Sequence, residues 1–362
     1  MVMSILQHKQ GNNPGYYACI VILLFFMVSC NKQEYRDATK FYSQDFPETI
    51  HLKGMELKFD KELFRTVGLF LIDSVLIVQN YNAETHFVKY NIHTKKKVGE
   101  SVCWGSGPEE MLNPKGIHLL DSVVWICDVK RRKMMSYSKE QFCYSNMPRP
   151  LHSINFKEQF NKVAVNTNNI VSTVLALNYQ RLSFFDMNGS FIKTVGEFPD
   201  CNLSLTPIET IESFLCNISI NPQDGRICLS YNLTDLIEFY DADGILKKRI
   251  HGPDHFFPAV AETKKGGGIG VRSIEGKTRD AYFSPVVSDN IIYLLYSGRF
   301  FDLNVAENSY LVNQIFVFDW DGGPLKRYIL DIPVFWFTVD ESQKRIYGLT
   351  DAPDYRIIEF RF

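Results

Sequence analysis

Six copies of one short pattern run through the chain, and a repeat of this length leaves few folds open. Each copy begins with a polar turn and a strand-like run: Asp73-Ser-Val-Leu-Ile-Val, Asp121-Ser-Val-Val-Trp-Ile, Asn168-Asn-Ile-Val-Ser-Thr, Asp224-Gly-Arg-Ile-Cys-Leu, Asp289-Asn-Ile-Ile-Tyr-Leu and Ser342-Gln-Lys-Arg-Ile-Tyr. The starts lie 48, 47, 56, 65 and 53 residues apart. A second strand follows each: Phe87-Val-Lys-Tyr, Met134-Met-Ser-Tyr, Leu182-Ser-Phe-Phe, Leu236-Ile-Glu-Phe-Tyr, Gln314-Ile-Phe-Val-Phe and Arg356-Ile-Ile-Glu-Phe. Several short strands per period of about 50 residues mark propeller blades, and helical stripes are scarce.

The ends of the chain predict how the ring closes. Three units carry a matched turn after the second strand: Asp186-Met-Asn188-Gly189, Asp241-Ala-Asp243-Gly244 and Asp319-Trp-Asp321-Gly322. An outer strand follows, as in Phe191-Ile-Lys-Thr-Val or Leu246-Lys-Lys-Arg-Ile, but the sixth unit stops at Phe362 before one. The unassigned strand Glu48-Thr-Ile-His-Leu-Lys53 is expected to supply it, which removes an open sheet edge. The expected fold is all-β, a six-bladed β-propeller over 46–362 closed by an N-terminal strand completing the last blade.

Residues 1–29 read as a lipoprotein signal peptide and 30–45 as a tether. The apolar core Ala18–Val28 is 11 residues long, whereas a spanning helix needs about 20. It ends Phe25-Phe26-Met27-Val28-Ser29-Cys30. That ending resembles a bacterial lipobox, which implies acylation of Cys30 and a membrane partner through the N-terminal lipid; ordinary cleavage near Ser29 is the alternative. A bacterial cell-envelope location follows, with the outer membrane expected and the leaflet open.

Charge and cysteines narrow the function classes. Lys plus Arg is 39 against 41 for Asp plus Glu, giving -2, so no basic excess exists to neutralise nucleic acid. The 28 Phe and 18 Tyr favour strands. Beyond Cys19 and Cys30, six cysteines remain without CxxC spacing. Three disulfides would fit an exported protein, but Cys127 and Cys228 lie inside strand-like runs, where a cysteine is a small buried hydrophobe. Mostly free thiols are expected.

The stretch Trp104-Gly-Ser-Gly-Pro-Glu-Glu-Met-Leu-Asn-Pro114-Lys-Gly-Ile117, leading into Leu120-Asp-Ser-Val-Val-Trp-Ile-Cys-Asp128, resembles the junction of NHL-type propeller repeats. With the lipobox and six units, the whole mature chain is similar to the TolB-like six-bladed propeller lipoproteins of Bacteroidetes. The resemblance implies the fold and no catalytic signature, and fold alone does not carry function. Asp73-Ser74-Val75 and Asp121-Ser122-Val123 also resemble an O-glycan acceptor motif of exported Bacteroidetes proteins, although Asp-Ser is an ordinary turn opening.

No motif commits the chain to catalysis. The Asp-x-Asn/Asp-Gly sequences resemble the opening of a calcium loop but lack its closing Glu, and they recur where a hairpin must reverse. Gly105-Ser-Gly107-Pro108 and Gly276-Lys277-Thr278 complete neither a dinucleotide nor a P-loop pattern. There is no Gly-x-Ser-x-Gly elbow, and the histidines are scattered singly. No cofactor and no metal are expected. The leading reading is a binding or interaction module for an envelope protein or a small-molecule ligand. A channel-mouth hydrolase or lyase, with or without a metal, and a structural module of an envelope complex are the alternatives.

Candidate contact residues come from two places. The basic run Lys130-Arg131-Arg132-Lys133, beside Asp128, offers an anion-binding rim with Arg131 and Arg132 as bidentate forks, and Trp104 and Glu109 are further candidate surface residues. The irregular stretch His255–Phe283, with Gly266–Gly270, Arg272, Arg279 and Tyr282, and the excursion Ser297–Asp302 with Arg299, are long loops of the kind that carry function.

Overall fold

A computed structural model of the chain describes residues 33–60, 63–81, 83–174, 180–265, 268–302 and 310–362. Cys30 and the leader lie outside these residues, as do Gly266 and Gly267.

Six antiparallel sheets stand in a ring. From inner to outer strand, blade 1 is Thr66–Ile72, Val75–Asn80, Thr85–Asn91 and Lys97–Cys103. Blade 2 is Pro114–Leu120, Val123–Asp128, Lys133–Ser138 and His152–Asn155. Blade 3 is Phe160–Val165, Ile170–Val174, Gln180–Phe185 and Phe191–Glu197. Blade 4 is Cys216–Ile220, Ile227–Tyr231, Leu236–Tyr240 and Leu246–His251. Blade 5 is Tyr282–Val287, Ile291–Tyr296, Val312–Asp319 and Pro324–Val334. Blade 6 is Trp336–Asp340, Arg345–Thr350 and Arg356–Arg361, completed by Gly54–Leu57. The runs read as first and second strands are therefore the two middle strands of each blade.

Middle strands read as unbroken apolar runs because each is buried on both sides. Side chains alternate across a strand. Val75 and Ile77 enter the core between blades 1 and 2, while Leu76 and Val78 enter the core between blades 6 and 1. Val124 and Ile126 likewise face blade 1, and Trp125 and Cys127 face blade 3. Six such cores, one per interface, hold the ring.

The ring is closed by the N-terminal strand, shifted a few residues along the chain from its expected position. The closing strand is Gly54–Leu57, antiparallel to Arg356–Arg361, with Gly54 opposite Phe360. A Cβ at Gly54 would lie 2.5 Å from Ile358 Cγ2, so the closest approach falls on the one residue without a side chain. The preceding Thr49–Leu52 instead runs parallel to the outer strand of blade 5, and Ala38–Lys40 runs parallel to that of blade 4. Within the stretch 30–45, Tyr35 and Phe41 are buried against blade 4 or its interface with blade 5.

The three Asp-x-Asn/Asp-Gly sequences are turns. In each, the first carboxylate accepts backbone N–H groups two and four residues on: Asp186 from Asn188 (2.9 Å) and Ser190 (2.7 Å), Asp241 from Asp243 and Ile245, Asp319 from Asp321 and Gly323. Gly189, Gly244 and Gly322 take φ of 81°, 82° and 71°, where glycine is favoured.

Because strands alternate in direction, blade-to-blade crossovers and the links between second and third strands share one face, here the crossover face. First-to-second and third-to-fourth links lie on the other. Asp73 and Asp121, at φ of 50° and 52°, sit in such links on that second face.

Candidate functional site

All nine candidate contact residues belong to the crossover face, but they form two groups. Trp104, Glu109, Asp128, Arg131 and Arg132 gather at blade 2. Arg272, Arg279, Tyr282 and Arg299 gather at blade 5 and the crossover leading to it. Two blades lie between the groups on either side, which puts them on opposite sides of the channel.

At blade 2 several of the charges are consumed by the fold. Asp128 is fully buried; it accepts from Leu112 N at 2.5 Å and Arg131 N at 3.1 Å, tying the crossover to the turn. Lys133 is buried as well, its Nζ donating to the carbonyls of Pro108 and Glu110. Burial lowers its pKa, with Arg131 adding to the effect. Arg132, at φ 53°, donates to Lys157 O at 2.5 Å.

What remains faces outward. Trp104 is 55% exposed and Glu109 is exposed. Arg131 Nη1 is buried without a partner. At the same turn an open cavity of about 430 Å³ is lined by Val129, Lys130, Arg132, Gln159 and Phe160, without Arg131. This lining holds two cations and an amide but no carboxylate, so it complements an anion.

At blade 5 the arginine and tyrosine are anchored rather than free. Arg279 donates from Nε to Gly298 O at 2.8 Å and pairs with Asp254, with its guanidinium 4.5 Å from the Phe256 ring and 4.9 Å from Phe300. Tyr282 is not at the surface. It is 0% exposed in the core between blades 4 and 5, its hydroxyl donates to Gly252 O, and burial raises its pKa. Arg299 is exposed and donates to Leu311 O at 2.9 Å.

Arg272 lies on a hairpin, Val260–Lys265 and Gly268–Ser273, within the stretch read from sequence as irregular. The glycines that made the segment look like coil hide an alternating strand pair.

The sequence reading missed a second polar knot. Asp235, fully buried, accepts from the backbone N–H groups of Asp254 (2.7 Å), His255 (2.7 Å) and Phe256 (3.0 Å), and its Oδ1 lies 3.0 Å from His251 Nε2. A cavity of about 170 Å³ adjoins it, lined by Gln33, Glu34, Tyr35, Ala38, Lys40, His251, His255 and Phe257. His255 Nε2 is buried without a partner, and desolvation with His251 nearby lowers the His255 pKa. The four-residue spacing of His251 and His255 was the available signal; Asp235 gave none, because its partners are backbone groups.

No set of three or more metal-capable side chains converges among the described residues.

A TolB-like 6-blade propeller-like family matches residues 45–342. The chain belongs to that family. A solved structure of a DUF4221-family member from Bacteroides vulgatus is similar to this TolB-like propeller across 92% of its chain and 98% of the other, with 9% identity and a TM-score of 0.54. A putative exported protein from Bacteroides fragilis aligns over 89% and 99% of the two chains, at 11% identity and a TM-score of 0.48. No curated protein matches the sequence. At these identities the likeness concerns the fold.

Proposed function

We propose that this TolB-like propeller is a lipid-anchored module of the bacterial cell envelope, held at the outer membrane through Cys30, that binds an anionic ligand or the acidic surface of a partner at the blade 2 rim. One observation carries the reading: the cavity lined by Lys130, Arg132 and Gln159 contains two cations and no carboxylate. Two cations that share a lining without a carboxylate gain charge-assisted hydrogen bonds from an incoming carboxylate or phosphate. The exposed Trp104, on the crossover into the same blade, offers an apolar contact on that face.

Calorimetric titration with inorganic phosphate, citrate and a hexuronate tests the rim. Binding by one of these probes that weakens at least tenfold in Arg132→Ala and Lys130→Ala supports it; no heat from any of the three, or binding indifferent to both changes, refutes it. Anchoring is tested separately by the mass of the mature N-terminal peptide, which must carry acyl groups on Cys30.

A further inference from the structure

The stretch from Gln33 to Lys40 closes a cavity against blade 4. Ala38–Lys40 pairs with the outer strand of that blade, Lys40 opposite His251. Phe41 N donates to His251 O at 3.1 Å, and the Tyr35 hydroxyl lies 3.0 Å from Thr234 Oγ1. Five of the eight residues around the cavity of about 170 Å³ come from this stretch, so the cavity exists only where the stretch is laid on the disc.

Its most buried lining holds nitrogen acceptors. Asp235 Oδ1 at 3.0 Å and Phe256 O at 3.1 Å both face His251 Nε2, so that nitrogen carries the proton of the neutral ring. Nδ1 is then a bare acceptor, and it has no hydrogen-bond partner among the described residues. His255 meets His251 edge-on at 5.4 Å and Tyr42 at 4.5 Å, and its Nε2 is buried without a partner. An orphaned buried nitrogen costs free energy unless a ligand or a water answers it.

The more open lining carries one charge of each sign. Glu34 and Lys40 are both exposed, and neither side chain has a hydrogen-bond or ion-pair partner among the described residues. Tyr35 and Phe257, with ring centroids 5.1 Å apart, supply an apolar wall. One carboxylate, one ammonium and two imidazoles in a single small cavity complement a molecule that bears both charges itself. Pockets for drug-sized molecules span about 300–1,000 Å³, so this one takes something smaller.

We propose that the cavity binds a small zwitterion, a free α-amino acid, with its ammonium on Glu34 and the imidazole nitrogens and its carboxylate on Lys40. The site is separate from the blade 2 rim and does not depend on it.

Calorimetric titration of the chain from Asn31, which retains every described residue, tests this. L-alanine and L-serine are the zwitterionic probes, propionate and ethylammonium carry one charge each, and glucose carries none. At least one amino acid is expected to bind, about tenfold or more tighter than either singly charged probe or glucose. Glu34→Gln and Lys40→Gln, both at exposed positions, each weaken that binding by about the same factor. His255→Phe keeps a ring against Tyr42, removes Nε2 and weakens it too, with thermal unfolding as the check that the variant is folded. Lys247→Gln, which breaks a pair with Asp241 on the opposite face, leaves it unchanged. No heat from either amino acid, equal binding of propionate, ethylammonium or glucose, or Glu34 and Lys40 variants that bind like the parent overturn the proposal.

Discussion

Arg181 of blade 3 donates from Nε to the Tyr231 hydroxyl of blade 4 at 3.1 Å, placing a fully buried cation in the wedge between two blades. Its Nη2 donates to Phe214 O at 2.8 Å. Tyr231 in turn donates to Glu238 Oε2 at 2.5 Å, Tyr240 donates to the same oxygen at 2.6 Å, and Arg249 Nε donates to Oε1 at 2.5 Å. Glu238 thus faces Arg181 through Tyr231 and shares Arg249 with the exposed Asp37. Removing it strands buried charge, so Glu238→Ala is expected to destabilise the fold by about 3–5 kcal/mol. Urea unfolding measures this; a loss below about 1 kcal/mol means the network is not under load.

The N-terminal stretch contributes to stability as part of the core. Phe46 stacks on Phe316 at 4.8 Å and meets Phe41 and Phe318 edge-on. Phe46→Ala is expected to cost about 3–5 kcal/mol, as for other buried phenylalanines. Tyr42, 43% exposed beside His255, is the contrast, and Tyr42→Ala should cost well under half as much. Thermal unfolding of the two variants decides whether 33–53 is integral to the propeller.

Acid sensitivity has a named source. His118, on the inner strand of blade 2, has its Nε2 shut off without a partner, and burial pushes its pKa down to about 4 from the usual 6.5. His86 and His255 are lowered in the same direction. Between pH 6.5 and 4 the unfolded chain binds protons that the folded chain does not, so stability is full above that window and falls as pH drops through it. His118 accounts for at most about 3 kcal/mol of the fall. His118→Phe is expected to flatten the dependence of unfolding free energy on pH between 4 and 6.5; a slope equal to the parent's assigns it elsewhere.

The thiols should be silent in the native protein. Cys103, Cys127, Cys143, Cys201, Cys216 and Cys228 are all unpaired, and all but Cys103 are buried. Burial raises Cys143, Cys201 and Cys216 to about 11 and raises Cys127 and Cys228 as well. A thiol reagent at pH 8 is expected to modify Cys103 alone before denaturation and all six after it. Rapid native labelling of any other would show that a blade interface opens.

What could be read from sequence was what repeats. The middle strands announce themselves because their alternate residues are buried on opposite sides, as at Val75–Val78 and Val124–Cys127, and the Asp-Gly turns because one geometry recurs three times. Closure was legible in kind, from the missing outer strand of the sixth unit. The register was not, because Thr49–Leu52 and Gly54–Leu57 are both short strands, and the choice turns on how closely Gly54 approaches Ile358. The candidate residues were legible as a face, since crossovers and second-to-third links always fall together. Which of them are free was not. Asp128, Arg279 and Tyr282 are tied to the backbone carbonyls or amides of residues far along the chain or in adjacent turns, and those groups have no side-chain signature.

The pairing of Gly54–Leu57 with Arg356–Arg361 has a temporal meaning. Nearly 300 residues separate the two strands, so Gly54–Leu57 is synthesised long before the neighbour it must find. Contacts this distant along the chain are slow to form and leave incomplete species exposed to aggregation. Until then, five complete blades have no ring to belong to. The circle exists only once Arg356–Arg361 has arrived, which makes that strand a quality check on all six blades.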